Sequence, residues 1–133
     1  MIRAILGVIL GVVVAGLIVF GIEMIGHQVY PVPAGFDPND VEQVKAYVAT
    51  APMGALLFVI AAWSIGTLVG TAVTMLIANG NAMAGVVAGA INTGFAVLTV
   101  ILVPHPLWMV IAGLGATILA VAIAVLALRR SAM

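Results

Sequence analysis

The chain has 133 residues, of which 65% are hydrophobic and 6% charged, with a formal net charge of zero. That balance leaves too little polar surface for a water-soluble domain, and it lacks the clustered Lys and Arg that a nucleic-acid surface needs, so nucleic acid is excluded as a partner. With no cysteine, disulfides, thiolate metal sites and thiol catalysis are excluded as well.

The charges are Arg3, Glu23, Asp37, Asp40, Glu42, Lys45, Arg129 and Arg130, and none lies between Lys45 and Arg129. A helix rises about 1.5 Å per residue, so crossing a hydrocarbon layer of about 30 Å takes roughly 20 apolar residues. Four stretches qualify, at about residues 4–25, 53–78, 82–103 and 107–128. The expected fold is all-α: a polytopic four-transmembrane-helix bundle forming a single integral membrane domain, residues 1–133. The first run is too long for a signal peptide and has no Ala-x-Ala signature near its end, so it is read as an uncleaved span.

Arg3, Arg129 and Arg130 flank the outer ends of the first and last spans, which an even number of crossings puts on one side. The positive-inside rule makes that side cytoplasmic and turns the loop at 26–52 and the Pro104-His105-Pro106 tip outward. Tyr30, Tyr47 and Trp108 fall near that outer boundary, where amphipathic rings settle.

Tyr30-Pro31-Val32-Pro33-Ala34-Gly35 opens the loop and is too proline-rich for a helix. Asp37-Pro38-Asn39-Asp40 then reads as a helix start with Asp37 as N-cap and Pro38 at the first helical position, giving a short extracytoplasmic helix to about Ala49. Asn79-Gly80-Asn81 is so short a connector that the second and third spans must form a tight antiparallel hairpin, with Gly80 suited to the left-handed helix stop.

Helices associate in lipid through close contact of small residues and through hydrogen bonds. Ala4, Gly7, Gly11 and Ala15 share one face of the first span. Ser64, Gly66, Thr67, Gly70, Thr71 and Thr74 form a band on the second, with Trp63 on the same side. Gly85, Gly89, Asn92, Ala96 and Thr99 line the third, and Gly113, Ala116, Ala120, Ala124 and Ala127 the fourth. These seams predict a non-enzymatic accessory or structural subunit, a homo-oligomer or a partner of other membrane subunits in the bilayer. Asn92, near mid-span, needs a hydrogen-bond partner, and Ser64, Thr67 or a second copy of Asn92 is expected to supply it. The hydroxyl band facing Asn92 supports an alternative reading, a small-solute transporter or channel.

Glu23 and His27 are four apart and therefore neighbours on one helix face, and His105 reaches a similar depth. The three are a candidate outer-face metal site: two imidazoles and a carboxylate form a ligand set used for zinc. Met24, Met53 and Met109 add thioethers that would suit copper(I), and His27 with His105 would suit haem. No cofactor is required by the pattern. Glu23 lies about 13 Å from the centre of its span, near the edge of a hydrocarbon layer of half-thickness about 15 Å. Both Glu23 and His27 also point away from the seam of their own helix, so a local hydrogen-bonded or ion-paired anchor is the expected role. No catalytic triad, phosphate loop or zinc-protease motif occurs, and no enzyme activity is expected.

Glu23-Met24-Ile25-Gly26-His27, Tyr30-Pro31-Val32-Pro33, Asp37-Pro38-Asn39-Asp40 and Pro104-His105-Pro106-Leu107-Trp108 together resemble a family of small four-span bacterial inner-membrane proteins with no assigned activity. The resemblance implies a bacterial inner-membrane setting and nothing about mechanism.

Overall fold

Four helices are long and apolar enough to cross a membrane, and they account for most of the chain. The structure, a computed structural model, describes residues 1–130. In chain order the elements are α1 (Ile2–Val29), α2 (Val41–Thr50), α3 (Met53–Ile77), α4 (Ala82–Leu102) and α5 (Leu107–Leu128), with no strand among the described residues. The chain is a multi-pass membrane protein. α1 runs one turn past its expected end, to Val29, and stops before Pro31, whose ring cannot continue the helix. One end of the bundle carries the α3–α4 hairpin, Met1 and Arg130; the other carries the long loop, α2 and the 103–106 turn. They are called here the hairpin end and the loop end.

Two local details differ from expectation. The α3 stop is made by Asn79, at φ +56°, with Gly80 following at φ +76°. The Gly80 N–H reaches back to the Met75 carbonyl (2.7 Å) and the Asn79 N–H to the Leu76 carbonyl (3.4 Å), the paired bonds of a left-handed helix stop. Asn79 takes the first left-handed position because asparagine tolerates that conformation, and Asn81 then caps α4 by accepting from the Ala84 N–H. In the loop, α2 is capped by Asp40 instead of Asp37: its carboxylate accepts from the Glu42 and Gln43 N–H groups. Asp37 closes the turn before it, accepting from the Asn39 N–H through its side chain and from the Asp40 N–H through its carbonyl. Gln43 holds turn and cap together, accepting from the Asp37 N–H and donating to the Asp40 carboxylate.

α3 is the central helix, packed against α1, α4 and α5, and α4 also meets α1 and α5. The hairpin half is closed by small residues. Thr74 donates its hydroxyl to the Gly7 carbonyl on α1 as well as to Gly70 on its own helix, both at 3.0 Å. A Cβ on Gly7 would come within 2.8 Å of the Thr74 carbonyl, and one on Gly70 within 2.7 Å of the Ala15 Cβ. Gly85 abuts Met75, and Gly89 abuts Val121. The glycine seams read from the sequence are therefore occupied within the single chain.

Large side chains collect toward the loop end, where Leu56, Trp63, Ala96 and Met109 form the apolar core, with Val48 and Ala51 packed against it. Outward, Ile9, Leu10, Leu17, Phe20, Ile101, Ile111, Ile118 and Leu119 are exposed on the spans, the apolar face that lipid requires.

Candidate functional site

α1 passes α3 on a course set by its i, i+4 ridge. Gly7, Gly11 and Ala15 are buried in turn, and Val19 then lies against Gly66. A ridge of this kind runs obliquely around a helix, because four residues advance slightly more than one turn. Continuing it by four residues brings Glu23 onto the inner side. An end-on projection, in which the partner helix is parallel, places Glu23 away from the seam; the oblique ridge corrects that reading. Glu23 is half-buried and lines two cavities.

The first cavity, of about 300 Å³, lies between the loop end of the spans and the α2 segment that covers it. Glu23, His27 and His105 all line it, so the fold does bring these three together around one space. Four of the chain's aromatic residues share the wall: Tyr30, Phe36, Tyr47 and Phe58. They stand in two pairs. Tyr30 meets Phe58 nearly edge-on with ring centres 6.1 Å apart, and Phe36 meets Tyr47 at 5.6 Å. Tyr30 is seated by Gly54, where any Cβ would overlap the phenol, and Gly26 similarly receives Phe58.

The second cavity, also about 300 Å³, lies between α1, α3 and α4, lined by Val12, Gly16, Glu23, Trp63, Thr67 and Asn92 among others. Along α1 it runs from Val12 to Glu23, about 16 Å of helix. The two cavities share Glu23 and Thr99. Toward the hairpin end the contact of Gly7 and Gly11 with Gly70 and Thr74 closes the space below.

The hydrogen bonds differ from those expected. The Ser64 hydroxyl donates to the Ile60 and Ala61 carbonyls of its own helix and does not reach Asn92. Serine in an apolar helix is satisfied most directly by the preceding turn. Thr67 is buried and lines the second cavity with Asn92, with no hydrogen bond between them. The Asn92 Nδ2 is buried without a partner among the described residues. A buried amide left this way costs several kcal/mol, on the order given for transfer from water, so the cavity beside it is a place for a hydrogen-bond acceptor.

His105 is held firmly. Its Nδ1 is 2.6 Å from the Val103 carbonyl, which can only accept, so Nδ1 is the donor. Its ring stands edge-on to Trp63 at 5.9 Å, and Trp63 in turn rests against Gly113 of α5. Neither a hydrogen bond nor an ion pair joins Glu23 to His27; among the described residues the ion pair is Lys45 with Glu42, at 3.4 Å.

Among the described residues no group of three or more His, Cys, Asp or Glu side chains is placed to hold a metal ion. The thioethers are dispersed too: Met109 is fully buried in the core, while Met24 and Met53 face outward. Sequence reasoning found Glu23, His27, His105, Thr67 and Asn92, but missed Phe36 and Phe58, which have no periodic or chemical signature before folding brings them to the wall. Compared with known proteins, the chain matches no family model, no curated protein and no solved structure.

Proposed function

We propose that this chain is a binding protein for a small amphiphilic molecule, which it holds in the half of the membrane facing the loop end. The reading is carried by one observation: two cavities of about 300 Å³ each meet at Glu23, one walled by aromatic rings and imidazoles, the other running down to Asn92 between apolar helices. A mostly apolar space with a few convergent polar groups suits a ligand with a polar end and a hydrocarbon body. The closed packing at the hairpin half favours binding over conduction from one side to the other. It also weakens the case for an accessory subunit or homo-oligomer, because the seams that argued for a second copy are filled within the chain. The setting proposed is the bacterial inner membrane, with the hairpin end cytoplasmic, supported by Arg3, Arg129 and Arg130 at that end.

The two tryptophans make a direct test possible. Trp63 lines the second cavity, whereas Trp108 is substantially exposed at the start of α5. In a Trp108→Phe protein reconstituted in phosphatidylcholine vesicles, an uncharged decyl nitroxide should quench Trp63 emission to a plateau near one probe per protein. Gly16→Leu should abolish the plateau, since Gly16 lines the cavity and has nothing within 4 Å of its Cβ position. Quenching that rises in proportion to probe in the membrane, and equally in Gly16→Leu, would mean ordinary partitioning into lipid and would sink the proposal.

A further inference from the structure

The chemistry around Glu23 also specifies the ligand's charge, and this deepens the reading just given and rests on it. We infer that the polar end is an organic ammonium, seated at Glu23 beneath the aromatic wall, with its hydrocarbon body directed along α1 past Val19 toward Val12. Three independent features converge on that class.

First, Glu23 is the one charged residue that both cavities share, and it has neither an ion pair nor a hydrogen bond among the described residues. Lys45, the one lysine of the chain, lies against Glu42. A carboxylate in a partly desolvated space attracts a cation more strongly than the same group in water. Second, Tyr30, Phe36, Tyr47 and Phe58 give the space above Glu23 four aromatic rings, and ring faces attract ammonium groups, including quaternary ones that cannot donate a hydrogen bond. Third, the loop over the cavity carries Asp37, Asp40 and Glu42 against Lys45, a net negative charge that favours cations over anions approaching that end. An ammonium can come from a free alkylamine or from a phospholipid headgroup; the loop's net negative charge disfavours the phosphate that a headgroup brings with it.

The test uses the same Trp63 reporter and displaces the bound decyl nitroxide with three competitors of equal chain length: decyltrimethylammonium, decylphosphocholine and decanol. Decyltrimethylammonium should displace the probe at about one-tenth the concentration of decanol, or less. Glu23→Gln should remove that advantage, read as the ratio of the two competitors' displacing concentrations in the same variant, and Glu23→Asp should restore part of it. If decylphosphocholine matches decyltrimethylammonium and shares its dependence on Glu23, the ammonium is recognised and a lipid headgroup is its source. If decanol displaces the probe as well as decyltrimethylammonium does, or if Glu23→Gln leaves the ratio untouched, recognition of an ammonium is wrong although the cavity still binds amphiphiles. If no saturable nitroxide binding exists to displace, both this inference and the binding function fail.

Discussion

Gly11 and Gly16 lie on the same helix, five residues apart, and the structure assigns them opposite roles. A Cβ at Gly11 would land on the Thr74 hydroxyl and the Gly70 carbonyl, whereas one at Gly16 would meet nothing within 4 Å. Overpacking against backbone cannot be relieved by a rotamer change, so Gly11→Ala should destabilise the bundle by about 1–3 kcal/mol. Gly16→Ala should be neutral or gain up to about 1 kcal/mol through helix propensity. Thr74→Val, which removes the hydroxyl bonded across to Gly7, should cost less than Gly11→Ala, about 0.6 kcal/mol and at most about 1.7, in the range of hydrogen bonds between membrane helices. SDS-induced unfolding in mixed micelles reads all three. Equal losses for Gly11→Ala and Gly16→Ala would mean that α1 does not meet α3 along this ridge.

Among the elements, α2 depends most on local chemistry, because it is short and has no fully buried residue. Its first turn is held by Asp40 and Gln43. Asp40→Ala should raise amide hydrogen exchange across Val41–Thr50 by an amount corresponding to about 0.5–2 kcal/mol, while exchange in the spans stays unchanged. Protection unaltered by the substitution would indicate that packing of Val48 and Ala51 on the core, and not the cap, holds the helix. The elements themselves were legible: hydropathy over twenty residues marks a span whatever it packs against, and three of the four spans end within a residue of expectation, α1 running one turn longer. Caps were less legible, since Asp37 and Asp40 are the same residue type three positions apart and only the turn at Asn39 decides between them. The site was legible in its chemistry and not in its assembly. Glu23, His27 and His105 stand out because polar residues are rare in this chain, but their shared cavity follows from the oblique course of α1 across α3. That angle is set by many small contacts, and no short motif encodes it.

Across the whole molecule the two halves of the bundle are built on different terms: glycine, alanine and threonine close the hairpin half, while aromatic and branched side chains leave room in the loop half. The side of the membrane on which the cavities lie therefore depends on orientation, and orientation rests on few charges. Arg3, Arg129 and Arg130 stand at the hairpin end against Lys45 in the loop, and the proposed orientation, hairpin end to the cytoplasm, rests on that bias of three to one. The absence of cysteine makes each introduced thiol unique. Asn39 is exposed in the loop and Ile2 is exposed at the opposite end of α1. A membrane-impermeant maleimide should label Asn39→Cys in intact bacterial cells with a permeable outer membrane, and Ile2→Cys only after the inner membrane is lysed. The reverse pattern would put the aromatic cavity on the cytoplasmic side, where an ammonium ligand would come from metabolism and not from the surroundings. Equal labelling of both before lysis would show that three arginines against one lysine are too weak a bias to fix a single orientation.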